Sequence, residues 1–171
     1  MRGVRAQAED PGGYRADQNW IGAPGSTIDD ASFVPIAPEH LSAGMHAWMQ
    51  YLNDEWQPDP IVQLAIAHVE FEALHPFRDG NGRLGRMLIP LSLYRRGLLG
   101  KANFYMSAYF ERHRDAYIEG LRAMSSHDAW TEWCRFFLDG VADQAGENER
   151  RVRAMLALYE RVKVDIVDRT R

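Results

Sequence analysis

From Pro38 onward the apolar positions recur at helical spacing. Leu41, Met45, Trp48, Met49 and Leu52 fall three and four residues apart, so they share one face of a helix that Asn53-Asp54 and Pro58 end. A second helix is predicted over 59–74, with Asp59 as N-cap and Pro60 at the first helical position. Ile61, Leu64, Ala65, His68, Phe71 and Glu72 lie on its neighbouring faces, and Pro76 stops it. A third helix is predicted from about Gly82 to about Arg96, with Gly97 just past its end. Its Leu84, Met87, Leu88, Leu91 and Leu93 cover most of the circumference, which predicts a central, largely buried helix, and Pro90 inside it should kink it or remove one hydrogen bond. Further helical patterns cover about 107–124, 128–145 and 147–168. Residues 14–38 lack this period. Their turn signals (Ala23-Pro24-Gly25, Asp29-Asp30) and short apolar strings (Trp20-Ile21, Phe33-Val34) read as extended arms or a β-hairpin. Residues 1–13 read as a loose polar lead-in ending in Pro11-Gly12-Gly13. The predicted fold class is mainly α with a small β element near the N-terminus.

A chain of 171 residues suffices for one domain with its own core. Its net charge of −4 creates no long-range field for nucleic acid, so any anion site must be local. A single cysteine, Cys134, excludes an internal disulfide and a multi-cysteine zinc site. No apolar run approaches the ~20 residues of a membrane span. The first residues lack the apolar stretch of a secretory signal, so the expected location is the cytoplasm.

Between the second and third helices lies HPFRDGNGRLGR, residues 75–86. The first N–H groups of a helix point along its axis and carry about half a positive charge. Gly80, Asn81 and Gly82 can bend successive N–H groups into a concave anion nest. Arg83 and Arg86 are three apart on the first turn, where cations are locally unfavourable unless an anion of higher charge sits between them. A phosphate or polyphosphate fits. Asp79 would repel phosphates unless a cation intervenes, and Mg²⁺ is commonly held by one or two carboxylates, phosphate oxygens and water. His75 titrates near neutrality and can act as a general base. Base, metal ligand, anion nest and guanidinium pair together describe phosphoryl or nucleotidyl transfer.

Gly80 to Gly85 also matches G-x-G-x-x-G, but the preceding segment is helical rather than a strand. A P-loop would need Lys and Ser/Thr where Arg83 and Leu84 stand. His68, Glu72 and His75 lack the HExxH spacing of a zinc helix, and His68 reads as a hydrogen-bonded core residue.

HPFRDGNGRLGR resembles the signature of the Fic-domain family, HxFx(D/E)GNGRxxR, at every fixed position. The likeness extends from about residue 13 to about 145. Gly13-Tyr14-Arg15 through Asn19-Trp20-Ile21-Gly22 resembles the lead-in of many bacterial members. Phe33-Val34-Pro35 with Pro38-Glu39-His40-Leu41 resembles the flap segment, and Tyr109-Phe110-Glu111 with Arg114 and Tyr117 resembles the helix after the core. The resemblance implies a helical core with a β-hairpin flap at about 14–38, within a Fic domain over 14–147. Residues 148–171 would form a C-terminal helix that can lead into a further domain of a longer parent.

The resemblance further implies transfer of AMP from ATP to a Tyr, Thr or Ser hydroxyl of a target protein. His75 would take the hydroxyl proton, Asp79 would hold Mg²⁺, and Gly80, Asn81 and Gly82 would cradle the phosphates. Arg83 and Arg86 would neutralise the outer phosphates and the leaving group. Ser32, Phe33, Val34 and Pro35 would dock the target by strand addition. Phosphoryl or phosphocholine transfer, or a catalytically silent nucleotide-binding module, are the alternatives. Gly82 stands where the phosphate-transferring branch has Lys. The family's inhibitory [ST]xxxE[GN] helix has no match, since Arg112 follows Ser107…Glu111. Inhibition would then come from an absent segment or a partner protein, or be lacking. Homodimers are common among similar proteins. Tyr105, Tyr109 and Tyr117 are candidates for lining an adenine pocket, and each is equally suited to core packing.

Overall fold

The structure is a computed structural model that describes residues 12–22, 25 and 27–169. Most of the predicted lead-in and Ala23-Pro24 of the predicted turn lie outside the described residues.

The described residues contain six helices: α1 (Pro38–Asn53), α2 (Pro60–Leu74), α3 (Asn81–Arg95), α4 (Ser107–Arg112), α5 (Arg114–His127) and α6 (Trp130–Arg169). The first three match the predicted spans closely. Asp59 caps α2 as expected, its Oδ1 accepting from the N–H groups of Ile61 and Val62 at 2.8 and 3.0 Å. Gly97 takes a left-handed φ of 72° just after α3.

Three expectations change. The central helix is α2, not α3: α2 packs against α1, α3, α5 and α6. Its sequence PIVQLAIAHVEFEAL is apolar on every side, the pattern of a buried helix. In α3, Met87, Leu91 and Tyr94 are about half exposed. The predicted helix at 107–124 is two helices, broken at His113, where φ −115° and ψ 38° leave the helical region. The two patterns at 128–145 and 147–168 are one helix of 40 residues, because Gly146 between them costs only about 1 kcal/mol and no proline intervenes.

One core cluster joins Leu64, Ala65 and Val69 of α2 to Ile89 and Leu93 of α3, Phe110 of α4, Met124 of α5, and Trp133 and Phe137 of α6. A second joins Phe71 and Leu74 of α2 to Leu41 and Met45 of α1. Two indoles grip α2 from opposite sides. Trp48 donates through Nε1 to the Ala67 carbonyl at 2.7 Å, and Trp133 through Nε1 to the Ala65 carbonyl at 2.8 Å. Such fixing of α2 positions its C-terminal end, where the glycine-rich loop begins.

The small β element is reduced to one antiparallel bridge between Ile21 and Phe33. Its N–H to carbonyl distances are 2.8 and 3.1 Å, and no strand extends from it among the described residues. The turn residues between them fold back locally, through Asp30 N–H to Thr27 and Ala31 N–H to Ile28, rather than lengthening a ladder.

Candidate active site

Pro76 disfavours the helical region for the residue before it, and α2 accordingly ends at His75. His75 is left-handed, φ 44° and ψ 59°. For a residue with a Cβ that conformation costs of order 1 kcal/mol and persists only where neighbours impose it. The neighbours are identifiable. The His75 N–H closes on the Phe71 carbonyl at 3.1 Å, and the Arg15 Nε donates to the His75 carbonyl at 2.9 Å. The Arg15 N–H donates to the Pro76 carbonyl at 2.9 Å, and its Nη2 reaches the carbonyls of Ile36 and Leu74. At 3% exposure Arg15 is a buried clamp, satisfying carbonyls from three segments.

Asn81 closes the other end of the loop. Its Oδ1 accepts from the Phe77 N–H at 2.8 Å and its Nδ2 donates to the Phe77 carbonyl at 2.6 Å. Its side chain is 1% exposed, so it holds the loop from beneath. Gly80 has φ 85° at the N-cap, which only glycine adopts without cost. The helical ladder of α3 begins with Leu84 N–H to the Gly80 carbonyl at 2.9 Å. The N–H groups of Gly82 and Arg83 stand ahead of that first bond, open to an anion at the positive end of the dipole.

Each motif arginine already faces a carboxylate. Arg83 pairs with Asp79 at 3.0 Å, both side chains more than half exposed, so the pair is worth at most about 1 kcal/mol and is readily exchanged. The Arg86 guanidinium folds inward, where a Cβ on Gly82 would lie 3.1 Å from its Nη1, and reaches the Tyr117 hydroxyl. Glu72 lies beside it, 8% exposed, with Oε1 lacking a hydrogen-bond partner. Burial pushes the Glu72 carboxyl up to about 7, against the pull of Arg86. The network continues inward, for Tyr117 Oη is 3.0 Å from His68 Nε2. His68 stacks between Phe110 and Trp133, centroids 5.5 and 6.1 Å away, and burial lowers it to about 4, so it is a neutral core residue.

His75 is half-buried, and its imidazole is lowered from the ordinary value, first by desolvation and also by the Arg15 charge. Its Nδ1 lies 3.4 Å from the Glu72 carbonyl. A proton on Nδ1 directed there leaves the Nε2 lone pair to accept one. The side chain is therefore an unprotonated base at neutral pH.

The predicted docking residues lie at the lone bridge. Ser32 and Val34 are exposed, Phe33 is half-buried, and the buried Pro35 accepts from Gln18 Nε2 at 2.9 Å. A mostly apolar cavity of about 330 Å³ runs between this bridge, α5 and Glu72, lined by Ile21, Phe33, Val69, Ile118 and Leu121 among others. Of the three tyrosines considered for an adenine pocket, Tyr105 is exposed, Tyr109 belongs to the core, and Tyr117 sits behind Arg86. Among the described residues no three His, Cys, Asp or Glu side chains converge as a metal cage. Asp79 is a single carboxylate at the mouth of the nest. That donor set fits a Mg²⁺ that brings phosphate oxygens and water as its other ligands.

Of the site-shaping residues, Arg15 is not marked by spacing, Glu72 is weighed from the sequence only as a metal ligand beside His68 and His75, and Tyr117 only as an adenine-pocket or core candidate. Arg15 had a signal only in the resemblance of the lead-in. Glu72 had one in the sequence itself, as an acid in an otherwise apolar helix.

The family model described as "Fic/DOC family" matches residues 2–93. The chain is 34% identical over 112 residues to a probable protein adenylyltransferase of Aquifex aeolicus, covering 66% of this chain and 30% of that protein. It is 43% identical over 67 residues to protein adenylyltransferase fic-1 of Caenorhabditis briggsae, covering 38% of this chain and 13% of the relative. A crystal structure of a Fic family protein from Desulfovibrio desulfuricans G20 superposes with a TM-score of 0.73 at 24% identity, covering 86% of this chain and 43% of that one. The chain thus spans less than a third of the length of these two curated relatives.

Proposed function

The chain belongs to the Fic/DOC family, and from that premise we propose that it transfers AMP from ATP to a hydroxyl side chain of a target protein. The observation that carries the reading is the clamped, unprotonated His75 beside an open N–H nest flanked by two arginines. The names of the relatives, protein adenylyltransferases, agree with it.

In this reaction the target's hydroxyl oxygen attacks the α-phosphorus of ATP. His75 Nε2 takes the hydroxyl proton. The bond from the α-phosphorus to the bridging oxygen breaks, and pyrophosphate leaves with that electron pair. The N–H groups of Gly82 and Arg83 hold phosphate oxygens at the head of α3. Arg83 exchanges Asp79 for phosphate, which frees Oδ2 of the carboxylate, whose Oδ1 accepts from the Gly80 N–H, to share in holding Mg²⁺. Mg²⁺, bound with the nucleotide, would neutralise charge on the phosphates. Arg86 approaches from beneath Gly82 and offsets charge on the leaving group. Gly80 and Asn81 hold the loop that presents these donors. Ser32, Phe33, Val34 and Pro35 offer a short extended edge for the target, and the reaction takes place in the cytoplasm.

The test is incubation of the chain with α-labelled or γ-labelled ATP, Mg²⁺ and a cell lysate, beside His75→Ala. Label on protein from the α-position alone, lost in the variant, is expected. Label from the γ-position would make the protein a kinase. ATP binding without transfer of either label, with lysates from several sources, would favour a silent nucleotide-binding module.

A further inference from the structure

Among the described residues, the core clusters take no side chain of α6 beyond Val141. Residues 149–166 are all exposed. Val152, Met155, Leu156, Leu158, Tyr159 and Val162 are nevertheless large and apolar, between 45% and 69% exposed. Val152, Met155, Tyr159 and Val162 are spaced three, four and three apart, the a and d positions of a coiled coil.

This stripe is not an overrun of the core-facing side. Trp133, Phe137, Gly140 and Gln144 face the core. The same spacing carries that side on to Glu147 and Arg151, which pair with each other. The stripe is displaced from that side by one residue, about 100° around the helix. It is a second face, and a soluble protein leaves such a face uncovered only at a cost in association.

The flanking charges choose the partner and its direction. With Val152 at a, the g positions are Arg151, Leu158 and Asp165, and the e positions are Glu149, Leu156 and Lys163. In an antiparallel pair g meets g and e meets e, whereas in a parallel pair g meets the e of the next heptad. Suppose two copies cross antiparallel with Ala157 at the centre. Met155 then packs on the second copy's Tyr159, and Val152 on its Val162. Arg151 faces the second copy's Asp165, and Glu149 faces its Lys163. Leu156 and Leu158 meet their own equivalents at the two sides of the centre. Symmetry makes four opposite-charge pairs. The parallel arrangement instead sets Arg151 against Leu156 and Leu158 against Lys163, with no ion pair. Shifting the antiparallel pair by one heptad also loses the charge pairs.

We propose that residues 149–165 of α6 form an antiparallel coiled coil with the same segment of a second copy of this chain. Three intrahelical pairs compete with these contacts, Glu147 with Arg151, Glu149 with Arg153 and Glu160 with Lys163; each is solvent-exposed on at least one side and weak enough to exchange.

The experiment is sedimentation equilibrium of the whole chain across a concentration series, with circular dichroism to check folding. The wild type should pass from monomer to dimer. Met155→Glu should remove the dimer, and its site is far enough from the core that the helical signal should persist. Arg151→Asp should weaken dimerisation about tenfold by opposing Asp165 twice, and Arg151→Asp with Asp165→Arg should restore it. A wild type that stays monomeric at every concentration would overturn the proposal. A dimer indifferent to Met155→Glu would place the contact elsewhere. Failure of the double charge reversal to restore what Arg151→Asp loses would overturn the antiparallel arrangement.

Discussion

The Arg15 Nε donates to the main-chain carbonyl of His75 at 2.9 Å, tying a buried cation of the N-terminal segment to the candidate base sixty residues later. Arg15 therefore acts on His75 twice, by holding its left-handed backbone and by lowering its imidazole. Arg15→Ala should destabilise the fold by about 2–4 kcal/mol, because several buried carbonyls lose their donor at once. Transfer should fall further than loss of folded protein explains, with ATP affinity changed less. Thermal unfolding with initial rates on the folded fraction tests this. A variant with the lost stability but unchanged kcat would remove Arg15 from any role in positioning His75.

His75→Ala should reduce transfer by roughly 10²–10⁴ while leaving ATP affinity nearly unchanged, since the nest is built from N–H groups of α3. In the wild type, the acid limb of kcat/KM should have its midpoint below 6.5, because desolvation and Arg15 both disfavour the imidazolium. A midpoint above 6.5 would contradict the surroundings described for His75.

Glu72 and His68 should pull stability in opposite directions with pH. The Glu72 carboxyl is raised from 4.5 to about 7, so the folded state holds a proton that the unfolded chain has lost. Its contribution is full below 4.5 and fades as pH rises through 7. His68 is lowered from 6.5 to about 4, so its contribution is full above 6.5 and fades as pH falls toward 4. Glu72→Gln should abolish the loss of stability between pH 4.5 and 7 and expose the rise due to His68. Urea titrations at half-unit pH steps would measure both. An unchanged pH profile in Glu72→Gln would mean that Glu72 does not titrate in that range.

Gly85→Ala should be costly although alanine favours helices. A Cβ there would lie 2.5 Å from Glu72 Oε1 and 3.2 Å from the Phe71 ring. The two helices would have to separate, at about 1–3 kcal/mol, and Arg86 would be displaced with α3. Calorimetry together with ATP affinity checks this, and a variant as stable as wild type would show that Glu72 moves aside freely.

Much of this was legible in the chain because the signals were local. Asp59-Pro60 at the start of α2, Pro76 after it and Gly97 after α3 each act within a few residues, and those boundaries came out where expected. The glycines and arginines of 75–86 likewise announced an anion site, since their geometry is set by the turn and helix that contain them. What escaped was tertiary. Nothing near Arg15 says that it will reach the His75 carbonyl, and nothing near Asn81 says that both ends of its amide will be used on Phe77. The rank of α2 over α3 as the buried helix was visible in its all-round apolarity but was obscured by the apolar residues of α3, of which Met87, Leu91 and Tyr94 face outward. The break at His113 and the continuity of α6 depend on packing rather than on any strong breaker.

The two indoles that grip α2 make the protein its own spectroscopic gauge. Trp48 and Trp133 donate to the carbonyls of Ala67 and Ala65, on the helix that carries Glu72 and ends at His75. Emission from these two rings should change colour or intensity whenever that helix slides or loosens, as on nucleotide binding. Trp20, Trp56 and Trp130 add a background, of which iodide quenching or Trp56→Phe would remove the contribution of Trp56, 93% exposed. Ligand-induced motion at the candidate site can thus be followed by intrinsic fluorescence without attaching a dye.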